Sequence, residues 1–454
     1  MLFPQEFQAV ILAAGKGSRM HEITAGKPKC LLPVGNKPLV WYPLFQLQEF
    51  GFRDVIVIVA ENEKTEIQNV LDKCNLQIKI DYVGIRNEEQ GTADSLRFIQ
   101  DKLKSDVVVL SCDFISDVNL GNILNLFWVH NASLCALLFN PSTGQVAAPG
   151  PKAKYKPERD LIGIDSQTNR LVFLASASDF EKNVSLPKAL IRKHTNITLY
   201  SNLLDAHVYV LKNWVVKYLQ HESNISTIKG ELLPHIIKKQ LLKPAKTNFN
   251  VSVVDDTDRN DIFVYAKESP LELAIRNASS FNDHYGDLKS SYHNDVIRCF
   301  ACIADPKSFG VRVNNLTAYY SINLQIVDKW EKLSKDNQLV RIDSTTENSS
   351  TQVDDTCVVW NSCKLSEKTS LKNSTIGSHT EVHKYSRVFK SIVMNNVVIN
   401  ERVALENCIV CNGAIIQSGS KLNNCIVGSN HVVPKDSSHT NEVLTISDEL
   451  MELE

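Results

Sequence analysis

The residues best suited to chemistry stand where an apolar run near the start of the chain breaks into glycine and base. "AVILAAGKGSRM" begins at Ala9, and "KPKCLLPVGNKPL" follows at Lys27. Gly15 and Gly17 make a turn whose backbone N–H groups can hold an anion, and glycine lets that anion come close. Lys16, Arg19, Lys27 and Lys29 add positive charge. Arg19 can bridge two oxygens with its planar fork, while Lys29 offers a point charge. The chemistry implied is the holding of phosphate. A Gly-x-Gly pair alone is weak, since many strand-to-helix turns need glycine only to turn. Here it is joined by the bases, by Pro28-Lys29, and by a later apolar run, "DVVVLSCD", that ends on Asp113.

The elements that must position these groups alternate. "AVILAAG" (9–15), "DVIVIVAE" (54–61) and "DVVVLSCD" (106–113) read as short buried strands. "KPLVWYPLFQLQEFGF" reads as a helix stopped near Gly51. Ser116 or Asp117 is expected to cap a helix carrying Leu120, Ile123, Leu124 and Phe127 at i, i+3, i+4, i+7 spacing. Strand and helix in alternation imply a doubly wound, mostly parallel α/β sheet, with ligands at the carboxyl ends of its strands. Gly15 and Asp113 both fall there.

A second pattern fills the C-terminal part. "CVVW", "STIG", "SIVM", "CIVC" and "CIVG" begin at Cys357, Ser374, Ser391, Cys408 and Cys425, each 17 residues after the last. Leu365, Val382, Ile399, Ile416 and Val433 keep the same period, as do Leu371, Val388, Leu405 and Leu422. Three inward aliphatics per unit fit a three-sided coil with one short strand per side. This is the left-handed parallel β-helix of hexapeptide repeats. The expected division is a 1–335 α/β domain, a polar linker at 336–356, the β-helix at 357–440 and an acidic tail at 441–454, expected to be solvated. A polar stretch at 240–262 reads as a loop or insertion.

Bulk properties narrow the class. A chain of 454 residues needs two or three domains. Its 49 Lys and Arg nearly balance 51 Asp and Glu, so no basic excess points to nucleic acid or an acidic membrane. No apolar run is long enough to span a bilayer, and "MLFPQEFQAV" lacks the charged region of a signal peptide. Eleven cysteines without framework spacing fit a reducing cytosol. On that reading, sites such as Asn131-Ala132-Ser133 are no glycan acceptors. The pairs Cys299/Cys302 and Cys408/Cys411 could suggest zinc, but Cys408 shares the 17-residue ladder with small residues, and stacking is the better role.

"LAAGKGSRM" with "KPKCLLPVGNKPL" resembles the opening motif of the sugar-phosphate nucleotidyltransferases. "EQGTADSL" (89–96), with Gln90 and Gly91, resembles the family's base-recognising segment, and "SCD" (111–113) its metal-binding strand end. A nucleotidyltransferase-like (Rossmann-like) domain followed by a β-helix is also an architecture of that superfamily. The resemblance implies a nucleotide cradle of Gly15, Lys16, Gly17, Arg19, Lys29, Gln90, Gly91 and Asp113. In such enzymes a sugar phosphate attacks the α-phosphate of a nucleoside triphosphate, with Mg²⁺ held by two carboxylates. The first corresponds to Asp113. The second, within "FGVRVNNLTAYYSIN" (309–323), falls on Arg312, which would repel a metal. The family's sugar-phosphate lysine is replaced in Ala175-Ser176-Ala177, and the proline of the opening motif is lost in Arg19-Met20-His21-Glu22-Ile23-Thr24. The resemblance therefore implies a vestigial pocket, with no catalytic residue, metal or cofactor.

Other stretches, "LLPVGNKPLVWYPL", "VLSCDFISDV" and "LLDAHVYVLK" among them, are similar to a non-enzymatic branch: regulatory subunits of a cytosolic translation-initiation complex that exchanges GDP for GTP. That resemblance implies scaffolding and substrate docking. The implied partners are a larger homologous catalytic subunit, the other subunits of a decamer built from two copies of five, and the GTP-binding initiation factor. No membrane or direct nucleic-acid contact is implied. The chain ends at "SDELMELE", which is expected to leave no room for the helical domain of the larger homologue. His379, His383, Tyr385, Phe389 and Met394 are expected to face outward on the β-helix, some of them at an interface. Two alternatives stand: an active nucleotidyltransferase making a nucleotide-sugar such as GDP-mannose, and a pocket that still senses a nucleotide or nucleotide-sugar.

Overall fold

The computed structural model describes residues 6–86, 90–141, 146–151, 160–176, 183–242, 261–266, 274, 295–334 and 340–445. Most of the polar 240–262 stretch and residues 446–454 of the acidic tail lie outside them. Within them, continuous apolar runs pair into a seven-stranded sheet. Its order is Cys299–Ile303, Leu134–Phe139, Leu204–Leu211, Asp106–Ser111, Phe7–Leu12, Asp54–Ala60, Lys79–Ile85. Leu204–Leu211 runs antiparallel to both neighbours and the other pairings are parallel. Both faces are covered, one by a core around Ile11, Val57 and Leu110 and the other by a core around Val10, Ile58 and Val109. Burial on two sides is why these strands lack polar alternation.

The helix after the loop runs Trp41–Phe50 and stops at Gly51, whose φ of 106° only glycine adopts easily. The helix Leu120–Val129 is capped by Asn119, not by Ser116 or Asp117: Asn119 Oδ1 accepts from the Gly121 N–H at 2.8 Å. Ser116 and Asp117 work elsewhere. Ser116 Oγ donates to the Phe309 carbonyl at 2.8 Å, and Asp117 Oδ1 accepts from the Phe309 N–H at 2.7 Å. They anchor the short strand Gly310–Arg312 against Phe114–Ser116, and so bring Arg312 beside Asp113.

The C-terminal part is a left-handed coil of three six-stranded parallel sheets. The ladders Leu365 to Val433 and Leu371 to Leu422 point inward and are buried, joined by Val359, Ile376, Val393, Val410 and Val427. The coil starts before Cys357 and runs past 440 into the expected tail, where Val443–Leu444 ends one of its sheets. Glu347–Asn348 and Gln352–Val353, within the expected linker, are first strands of two of its sheets. Their polar residues fit an end coil with one neighbour to cover. Cys408 and Cys425 sit in the small-residue ladder, where the Cys408 N–H donates to Ser391 Oγ at 3.0 Å. Cys408 faces the coil interior while Cys411 faces the other domain, and Cys299 and Cys302 join opposite faces of the main sheet. Neither pair points its sulfurs together.

One outer face of the coil is not exposed. Val358, Ile392, Ile409 and Ile426 are buried against Met20, Ile23, Trp41, Tyr320 and Trp330 of the first domain. Each fully buried aliphatic there contributes about 1.5–3 kcal/mol. Met394 lies in this shared core: it faces outward from the coil as expected, onto the first domain rather than onto solvent. Tyr385 and His379 are exposed, and His383 and Phe389 are half-buried. Polar contacts tie the basic loop to the coil: Trp360 Nε1 donates to the Gly35 carbonyl at 2.6 Å, and Ser429 Oγ to the Ala25 carbonyl at 3.4 Å. No helix among the described residues is long and apolar enough to cross a membrane.

Candidate functional site

A cleft of about 520 Å³ opens at the carboxyl ends of the central strands. Gly15, Lys16, Gly17, Arg19 and Lys29 form one wall, and Lys229 and Arg312 also line it. A Cβ at Gly15 would meet nothing within 4 Å, so its bareness leaves room in the cleft rather than relieving a clash. Gly17 differs: its φ is 72° and a Cβ would come within 2.9 Å of Thr24. Glycine there is required by the turn itself.

Five cationic side chains line the cleft against one carboxylate, Asp160, which pairs with Lys229 at 2.9 Å. Asp113 lies beneath, fully buried. Lys29 Nζ is 2.5 Å from its Oδ2, and Arg312 Nε is 3.3 Å from its Oδ1. The Val313 N–H also donates to the Asp113 carbonyl at 2.8 Å, fixing the two segments together. Burial pushes the Asp113 carboxyl up, but Arg312 and then Lys29 outweigh it and hold it far below the ordinary carboxylate range. Asp113 is thus a charged anchor with both oxygens engaged.

The nucleotidyltransferase resemblance implies Mg²⁺ at Asp113, and these residues do not fit it. A hard divalent cation needs several oxygen ligands. Here the second position is a guanidinium, bonded to the very carboxylate that would hold the metal. Ser176, in the segment that lacks the family's lysine, lines the cleft without adding charge.

The base-recognising segment divides. Gln90 is exposed and does not line the cleft. Gly91 precedes the helix Thr92–Phe98, and a Cβ there would stand 2.2 Å from the Ser226 carbonyl oxygen. Its glycine serves close packing. Thr92 does line the cleft, and its Oγ1 accepts from the Ile228 N–H at 2.8 Å. Lys27 lies away from the cleft, where burial lowers its pKa.

Sequence reasoning missed His207, Asp160 and Lys229. His207 belongs to the strand Leu204–Leu211, at an interruption of its register with Leu134–Phe139. Its φ is 52°, a left-handed backbone uncommon outside glycine. The one signal was a pair of polar residues, Asp205 and His207, inside the otherwise apolar strand Leu204–Leu211. Burial, followed by the charge of Arg312, pushes its imidazole well below the usual range, so it is neutral at pH 7. Among the described residues no three His, Cys, Asp or Glu side chains converge as metal ligands.

Comparison with known proteins agrees with both domains. A nucleotidyl transferase family model matches residues 8–146, and a GlmU-like C-terminal hexapeptide model matches 340–422. The translation initiation factor eIF2B subunit gamma of Schizosaccharomyces pombe is 31% identical over 382 residues, 82% of this chain and 74% of that protein. The eIF2B subunit gamma of Caenorhabditis elegans is 28% identical over 342 residues, 74% of this chain and 79% of that one. The eIF2B subunit epsilon of S. pombe is 22% identical over 246 residues, 52% of this chain and 35% of that protein. With this extent of likeness across both domains, the chain belongs to the family of translation initiation factor eIF2B gamma subunits.

Proposed function

We propose that this chain is a non-catalytic scaffolding and substrate-docking subunit of the initiation factor 2B complex, which catalyses GDP/GTP exchange on translation initiation factor 2. Its partners are the epsilon subunit and the other members of a decamer with two copies of five subunits, in the cytosol. The observation that carries this reading is the bridging of Asp113 by Lys29 and Arg312. A nucleotidyl-transfer site needs that carboxylate for a cation that neutralises the transferring phosphate. The retained cradle of Gly15, Lys16, Gly17, Arg19 and Lys29 is on this view a vestige of catalysis, Gly91 and Asp113 have passed to structural roles, and Gln90 stands exposed outside the cleft. The scaffold is the rigid coil, locked to the first domain through Ile392, Ile409 and Ile426.

The test combines two assays. The isolated chain, given nucleoside triphosphates with sugar 1-phosphates and Mg²⁺, is expected to release no pyrophosphate. Added to the epsilon subunit, it is expected to raise the rate of GDP release from initiation factor 2, while giving only background release by itself. Steady pyrophosphate release with any common pair would replace this reading by an active sugar-1-phosphate nucleotidyltransferase of the GDP-mannose pyrophosphorylase kind.

A further inference from the structure

The coil turns corners between its three sheets, and at these corners single residues take a left-handed backbone. Glycine, asparagine and aspartate suit that conformation, while a larger side chain is strained in it. One corner keeps to this chemistry with Asn373, Asn407, Asn424 and Asn441, Lys390 being its exception. The corner farthest from the first domain, between the two sheets that do not pack on it, keeps to it only in its last turns, at Gly419 and Asp436. Its earlier turns carry Lys368, Tyr385 and Arg402, at φ 57°, 64° and 59°. Tyr385 is 51% exposed, with Lys368 Nζ 5.3 Å from its ring centroid. Among the described residues its hydroxyl and the Arg402 guanidinium have no hydrogen-bonded partner. Strain borne by exposed side chains marks residues kept for something outside the fold.

The adjoining sheet continues the pattern. Tyr385 leads into the strand Arg387–Phe389, whose alternate side chains turn Arg387 and Phe389 outward and Val388 into the core. Lys372 lies in register beside Phe389, and Ala404, small beside Arg387, is followed by Lys421. Tyrosine, phenylalanine and arginine are the residues that anchor protein interfaces. Among the described residues Lys372, Arg387, Arg402 and Lys421 form no ion pair, whereas Lys384 meets Glu367 at 3.7 Å. Unpaired cations around aromatic anchors call for carboxylates. They do not call for nucleic acid: Glu367, Glu401 and Glu406 are exposed in the same patch and would repel an unbroken run of phosphates. We propose that this coil surface, centred on Tyr385, Arg387 and Phe389, docks an acidic segment of a partner protein. The aromatic rings seat the segment, and Arg387 and Arg402 take its carboxylates. This deepens the reading of the chain as a subunit and rests on it.

Photo-cross-linking in the assembled complex tests this. The photo-reactive residue p-benzoylphenylalanine replaces the exposed Lys372, and the linked peptide is sequenced by mass spectrometry. The expected product joins this chain to a peptide of another protein in which Asp and Glu outnumber Lys and Arg. Adding Arg387→Glu should cut its yield about fivefold, and adding Tyr385→Asn about threefold. Asparagine suits the left-handed turn, so Tyr385→Asn should leave the melting temperature unchanged or raised. A lowered melting temperature would make Tyr385 a packing residue and overturn the proposal, as would an unchanged yield in both variants. Cross-links confined to residues 446–454 of this chain, to RNA or to a peptide without acidic excess, or no cross-link while other subunits co-purify, would overturn this surface and leave the subunit reading intact. A chain recovered alone and without a cross-link would overturn both.

Discussion

Two aspartates in this protein are each held by one lysine and one arginine, and they do different things. Asp113 meets Lys29 and Arg312 under the cleft. Asp295 meets Lys193 and Arg170, with Arg170 Nη1 2.8 Å from Asp295 Oδ2. Around Asp295 the arginine turns inward, while the Lys193 side chain keeps 17% exposure. Arg170 is fully buried and also donates to Gln240 Oε1 at 2.9 Å, while Gln240 Nε2 donates to the Leu171 carbonyl at 2.6 Å. That network fastens strand Leu171–Ser176 and the helix Lys188–Lys193 to the edge of the main sheet. Around Asp113 the cations turn outward: the side chains of Lys29 and Arg312 keep 11% and 20% exposure, and both line the cleft. An ion triad by itself therefore says nothing about function. What distinguishes the two is whether the arginine, Arg312 at 20% exposure or Arg170 at 0%, can reach a ligand or water when the aspartate is gone.

The largest effect should come from Asp295→Asn. It strands a fully buried guanidinium, and loss of one partner of a buried pair costs about 3–5 kcal/mol. Denaturant unfolding would read it. Nearly as large is a gain: Arg312→Asp restores the missing carboxylate and removes the competing cation. Mn²⁺ titration followed by electron paramagnetic resonance should then detect a site near 1 mM, roughly 4 kcal/mol, where the wild type has none. Asp113→Asn should cost less than Asp295→Asn, about 1–2 kcal/mol, because Lys29 and Arg312 can turn to solvent in the cleft. If the two asparagine variants cost the same, the contrast between inward and outward triads fails.

The smallest effect is in pH. A carboxyl whose folded pKa is depressed adds stability that is complete above its unfolded value, about 4, and is lost as pH falls toward the folded value. Below about pH 4 the wild type should therefore lose its advantage over Asp113→Asn, while above pH 5 the gap should stay constant. Urea midpoints of the two proteins between pH 3 and 7 would show this.

The coil was legible because its geometry repeats in one dimension, so a 17-residue period fixes three inward ladders at once. The errors of extent lie at its two ends, Glu347–Asn348 and Gln352–Val353 before it and Val443–Leu444 after it; at the first, an end coil substitutes polar residues such as Asn348 in the ladder continued by Leu365. The outward isoleucines 392, 409 and 426 were visible as residues, but their burial against Trp41 and Trp330 depends on how two domains meet. In the cleft the glycine loop could be read because its residues are local in sequence. The Arg312–Asp113 pair was reached only through family resemblance, since 199 residues separate its members. His207 and Lys229 come from separate elements, and no local pattern announces a side chain by its unmet hydrogen bond. Asn119 displaced Ser116 and Asp117 as a helix cap for a related reason: those two side chains were already committed to Phe309, far away in the chain.

The proposed role makes this chain a working subunit rather than an enzyme. The most direct measurement is to tag it at its native level, recover it under mild conditions, and weigh what comes with it. The account predicts near-stoichiometric recovery of the epsilon subunit together with the other initiation factor 2B subunits. Recovery of the chain alone, or as a homo-oligomer that turns over a nucleoside triphosphate and a sugar 1-phosphate, would contradict it.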